Sequence, residues 1–152
     1  MTQSLRKALL GTWHLKEWTT SWSDERDNSQ PYGPNAVGIL VYTEDGYMSA
    51  NISRAERPPL SRGSPRQASA GEKISAFESN FSYAGPYRIE GETVIHDVEH
   101  ALNPNMVGTR QSRTIAFKGG NLILAATETF ADSSVARYHR LTWSRHPRSN
   151  GS

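Results

Sequence analysis

Tyr83–Leu102, YAGPYRIEGETVIHDVEHAL, decides the fold. Tyr83, Gly85, Tyr87 and Ile89 alternate with small or polar residues. After Gly91-Glu92, Val94, His96, Val98, His100 and Leu102 alternate with Thr93, Asp97 and Glu99. A period of two over this length is the pattern of half-buried strands, because successive side chains leave opposite faces of the pleat. Gly91-Glu92 is a two-residue turn. That turn sets Ile89 opposite Val94 and Tyr87 opposite His96. The acidic residues then face solvent, so Tyr87 and His96 face inward. A histidine beside a tyrosine on an apolar face is the main chemical clue. Its structural reading is a core histidine whose hydrogen bonds are satisfied. Its functional reading is an acid or base.

The same pattern extends on both sides. GTWHLKEWTTSW (11–22) is a first strand. VGILVYT (37–43) and YMSANIS (47–53) are the next two, joined at Asp45-Gly46 as a tight hairpin. That turn sets Thr43 opposite Met48, Val41 opposite Ala50 and Ile39 opposite Ile52, all on the apolar face. Downstream, 109–118 and 121–130 are strands turned by Gly119-Gly120, and 135–143 is the last. Residues 2–9 form a helical turn. Ile74, Phe77 and Phe81 have helical spacing, which predicts a short lid or plug helix over 71–81 before strand four. Residues 23–36, 54–70 and 103–108 are loops by their Gly, Pro, Ser and Asn content.

Eight short strands joined by hairpins predict an up-and-down antiparallel β-barrel, a single domain with its core over about 9–144 and a frayed tail from Arg145. The glycine turns fall at one end and the long loops at the other, so one end is shut and the other is a mouth. An eight-stranded barrel has room for side chains or one small ligand.

Composition narrows the partners. The 152 residues carry no cysteine and a net charge of +2. Disulfides and thiolate metal sites are excluded, and a reducing, cytoplasmic setting is expected. The arginines of 54–66 lie in a Pro/Ser/Gly-rich loop without interleaved aromatics, so no nucleic-acid partner is expected. No apolar run is long enough for a membrane span. His96 and His100 are four residues apart on one strand, roughly 13 Å, too far to share a metal ion, and no metal or cofactor is expected. A monomer or homodimer is expected.

The extended registers sort the lumen. Ile89, Val94, Ile115, Phe117, Leu122, Leu124, Leu141 and Trp143 form an apolar floor near the glycine turns. Tyr83, Tyr87, His96, His100, Gln111, Arg113, Glu128, Arg137 and His139 form a polar ring toward the mouth. Met48 and Val98 point inward from their strands. The structural reading pairs Glu128 with Arg137 across the strands and neutralises Arg113 on that carboxylate. The functional reading is a site for a largely apolar ligand with a few oxygens.

GTWHLKEW, GILVYTEDGYMSA and YAGPYRIEGETVIHDVEHALNPNMVGTRQSR, followed by a late Leu-x-Leu strand, are similar to the bacterial and fungal lipocalin-like domain family over roughly Leu9 to Trp143. Gly11-Thr12-Trp13 resembles the Gly-x-Trp signature of lipocalins. The resemblance implies a calycin-type barrel with an internal cavity. It also implies a late basic residue across the tryptophan, for which Arg140 and Arg145 both qualify. Some members of that family accompany secondary-metabolite genes.

Two functions follow. In the first, a cofactor-free cyclase or isomerase acts on a small apolar metabolite, with His96 as acid or base, Tyr87 tuning it and Arg113 stabilising an enolate or carboxylate oxygen. In the second, the barrel binds or carries such a metabolite without chemistry. The number of ionisable groups in the lumen favours the first.

Overall fold

A computed structural model describes residues 2–148. In chain order the elements are α1 (Thr2–Leu9), β1 (Gly11–Trp22), β2 (Val37–Tyr42), β3 (Tyr47–Ser53), α2 (Ala70–Glu78), β4 (Asn80–Glu90), β5 (Thr93–Asp97), β6 (His100–Ala101), β7 (Arg110–Lys118), β8 (Asn121–Thr129) and β9 (Ala136–Ser144). Each long strand runs antiparallel to its neighbours. β9 returns to β1 and β3 pairs with β4, which closes an eight-stranded barrel, while short β6 extends β4's edge beyond the end of β5.

The hairpin of β4 and β5 has the expected register. Ile89 is opposite Val94 and Tyr87 opposite His96, with Gly91 at a φ of 62° in the turn. Two other registers differ, and each changes the lumen.

The first is between β2 and β3. The turn holds three residues, Glu44, Asp45 and Gly46. Thr43 N donates to Tyr47 O at 2.8 Å, and Gly46 takes a φ of 99°. Tyr42, not Thr43, is therefore opposite Met48, and Leu40, not Val41, is opposite Ala50. A slip of one residue exchanges the two faces of a strand. Leu40 and Tyr42 are buried inside, and Ile39 is 48 % exposed outside.

The second is at the end of β5. An unbroken ladder would set His100 opposite Tyr83. Instead an extra residue intervenes, and His100 is opposite Ala84. Val98 stays buried, while His100 and Leu102 face solvent. Gly85 makes the crossing possible: a Cβ there would lie 1.9 Å from the carbonyl oxygen of Asp97. A bulge between Leu15 and Glu17 in β1 works the other way. It keeps Lys16 and Glu17 outside and returns Trp18 and Thr20 to the interior.

The shut end is built around Trp13. Its indole N–H donates to Leu9 O at 2.8 Å, and the Arg145 guanidinium lies 3.6 Å above its ring. Arg145 also donates to the carbonyls of Ala8 and Thr12, tying the start of the expected tail to α1 and β1. The late basic residue across the tryptophan is thus Arg145 and not Arg140, which is exposed on β9. Residues 149–152 of the expected tail lie outside the described residues. Phe117, expected in the floor, is opposite buried Leu122 and packs on Trp13 at the shut end, but it is 42 % exposed there.

α2 is shorter than the spacing predicts. Ser69 caps it with a reciprocal Ser69–Glu72 capping box, and it ends before Asn80 because Phe81 belongs to β4. Ile74 and Phe77 are exposed and none of its residues is buried, so the helix flanks the mouth without plugging it.

Candidate functional site

His96 sits at the centre of the barrel, 1 % exposed. Both ring nitrogens are engaged. Tyr42 Oη lies 2.8 Å from Nε2, and Tyr83 Oη lies 2.7 Å from Nδ1. Burial disfavours the imidazolium, and the nearby Arg113 cation disfavours it further; together they lower the His96 pKa to about 3. The ring is therefore neutral near pH 7. Burial also raises the pKa of both tyrosines, so their hydroxyls stay protonated.

Tyr87 is the cross-strand partner of His96, but its hydroxyl goes elsewhere. It donates to Thr43 O at 2.8 Å, and its ring packs edge-on against Tyr42. The place at His96 expected for the Tyr87 hydroxyl is taken by Tyr83 and by Tyr42, which arrives from β2 across the lumen. Sequence reasoning missed Tyr42 because it placed the hairpin turn one residue short. The signal that would have found it is Gly46, read as the left-handed third residue of a three-residue loop.

Above this triad lies a cavity of about 390 Å³, near the lower end of the range of small-molecule sites. Its apolar wall comes from Leu40, Ala50, Ile52, Leu124, Leu141 and Trp143. Trp18, Phe81 and Tyr83 add aromatic faces. Asn103, Met106, Gln111, Arg113, Glu128 and His139 surround the mouth. Met48, Tyr87, Val98 and Ile115 are buried below or beside the cavity, in packed core, and do not line it. His100 lies in a shallow outer depression with Ser49 and Ser82.

At the mouth a second chain of contacts holds the side chains in place. Trp18 Nε1 donates to His139 Nδ1 at 3.2 Å, so the proton of the neutral ring is on Nε2, 3.1 Å from Glu128 Oε1. Burial lowers the His139 pKa, and the hydrogen bond to Glu128 partly opposes this. Arg137 is opposite Glu128 as expected, 3.7 Å away, and its guanidinium lies over Trp22 rather than in the cavity. Arg113 lines the cavity but is not paired with Glu128; it donates to the neighbouring Ser112 carbonyl. β7 and β8 separate beyond Thr114 and Ala125, where β7 pairs on with β5 and β8 with β9. A groove on the outer wall follows this split, and Arg113 and His139 line both it and the cavity.

Among the described residues, no three His, Asp or Glu side chains come close enough to hold a metal ion, and no helix is long and apolar enough to cross a membrane.

A family model described as a lipocalin-like domain matches residues 10–146. The 4'-hydroxy-3'-methoxypropiophenone carrier protein of Aspergillus oryzae is 31 % identical over 109 residues, covering 66 % of this chain and 98 % of that protein. No solved structure matches the chain.

Proposed function

Because the chain belongs to the lipocalin-like domain family, we propose that it binds and carries a small, largely apolar aromatic metabolite in the barrel cavity. The observation that carries this reading is the state of His96. Catalysis by proton transfer requires a base with a free lone pair near the substrate and a pKa near the working pH. His96 has both nitrogens in hydrogen bonds and a pKa near 3. His139 spends its lone pair on the Trp18 indole. The site is aromatic and its histidines are already hydrogen-bonded, which suits holding a ligand more than transforming one. The similar carrier protein is named for a phenolic aryl ketone. An aromatic ring packed against the wall of Trp18, Phe81 and Tyr83, with polar groups at the mouth, suits the same class.

The cyclase or isomerase reading keeps one supporting observation: Arg113 faces the cavity as a cation that could stabilise an oxyanion. A single experiment separates the two. Trp18 and Trp143 line the cavity, so their fluorescence reports occupancy. Titration with 4'-hydroxy-3'-methoxypropiophenone should quench it saturably, and the ligand should be recovered unchanged after prolonged incubation. Absence of saturable binding to this or related aryl ketones would sink the carrier reading. Conversion of a bound compound, abolished by His96→Ala, would replace it with the enzymatic one.

A further inference from the structure

His96 and Tyr83 both line the cavity, and the Tyr83 hydroxyl lies 2.7 Å from the ring's Nδ1. Nearly all buried donors in folded proteins are paired, so a hydroxyl proton left over on a cavity wall points to a missing acceptor.

Counting protons shows that one is left over. Neutral imidazole has one N–H and one lone pair. One tyrosine must therefore donate to the ring of His96 and the other must accept from it. The accepting tyrosine keeps its own hydroxyl proton, which needs another acceptor. Tyr42 is wholly buried, does not line the cavity, and has no other partner for its hydroxyl among the described residues. Tyr83 lines the cavity. The arrangement that strands no proton in the core has Tyr42 donating to Nε2 and Nδ1–H donating to Tyr83 Oη. The free hydroxyl proton then belongs to Tyr83.

We propose that the part of the cavity beside His96 is a binding site for an acceptor oxygen, with Tyr83 Oη–H as its donor and the His96 tautomer setting that direction. The inference rests on the carrier reading and deepens it by fixing the class and orientation of the ligand. The ligand enters with a ketone, ester or ether oxygen leading. An end made of hydrocarbon leaves the Tyr83 hydroxyl proton unpaired. A trailing hydroxyl suits the opposite end, where the half-exposed Glu128 carboxylate accepts.

Two measurements test this. Two-bond ¹H–¹⁵N correlation of His96 should show a protonated Nδ1 and a bare Nε2; the reverse tautomer would overturn the role of Tyr83. Fluorescence titration should then compare 4'-hydroxy-3'-methoxypropiophenone with its deoxo analogue, in which a methylene replaces the carbonyl. The ketone should bind up to about tenfold tighter, the worth of one hydrogen bond. Tyr83→Phe should narrow that ratio while leaving the analogue's affinity within about twofold. Should Tyr83→Phe fail to fold, the ratio of the two compounds on the unaltered protein carries the comparison. Equal affinity for the two compounds would refute the acceptor site and leave the carrier reading standing. Absence of binding by both would remove the carrier reading and the acceptor site with it.

Discussion

Tyr42 and His96 meet across the lumen, 2.8 Å apart, from strands that are not neighbours in the sheet. The contact spans the barrel, so it reports on the whole closed structure rather than on one hairpin. Tyr42→Phe removes the donor to Nε2 and leaves a buried lone pair unpaired. The expected loss is about 1–3 kcal/mol. Urea unfolding should show a lower midpoint at unchanged slope. An unchanged midpoint would mean that the bond contributes nothing in solution.

His96 also sets a pH dependence. Its pKa is about 3 in the folded chain and 6.5 as its ordinary value. Between those two values the unfolded chain binds the proton and the folded chain does not. Folding stability is thus fully present above pH 6.5 and is lost as pH falls toward 3, by at most about 1.4 kcal/mol per unit. Melting temperature followed from pH 7 to pH 4 should fall, and His96→Gln should flatten the fall. Parallel slopes for the two proteins would assign the acid sensitivity to other groups.

Gly85 and Gly71 should respond oppositely to alanine. At Gly85 the new Cβ would lie 1.9 Å from one backbone oxygen and 3.0 Å from the Glu99 nitrogen, so β4 or the end of β5 must move. A loss of about 3 kcal/mol is expected. Gly71 is exposed in α2 with open space around it, and alanine there should strengthen the helix by about 0.5–1 kcal/mol. Circular dichroism during denaturation reads the first and amide exchange within α2 the second, and a tolerated Gly85→Ala would mean that the strands do not cross so closely.

Arg145→Met keeps much of the aliphatic stem over Trp13 but removes the cation and its bonds to Ala8 and Thr12. About 1–2 kcal/mol should be lost. Hydrogen exchange should quicken first in α1, whose last turn Arg145 holds. Exchange that quickens evenly throughout the barrel would argue against a local latch.

Ser69→Ala breaks the capping box of α2. The helix buries none of its residues, so its fraying should not unfold the barrel. Amide exchange should rise at Glu72 and Lys73, whose N–H groups bond to Ser69, while the melting temperature stays within a degree or two. A large drop in melting temperature would show that α2 is part of the cooperative core.

The sequence by itself determined the barrel, the strand list and the core hairpin. Period-two alternation, the Gly91-Glu92 turn and the short turn over 131–134 are local, and they set Tyr87 opposite His96 and Glu128 opposite Arg137 without help from the rest of the chain. Tertiary structure decided what those side chains touch. Residues opposite each other on adjacent strands share a face but need not bond: Tyr87 reaches Thr43 and Arg137 lies over Trp22. The partners of His96 come from β2 and from a non-adjacent rung of β4, which no local pattern specifies. The positions of Tyr42 and His100 turned on one residue each, at Gly46 and beside Gly85. A strand has two faces and a period of two, so a single added residue moves a side chain between core and solvent. Whether a residue is added depends on turn geometry and backbone crossings that only the closed barrel imposes.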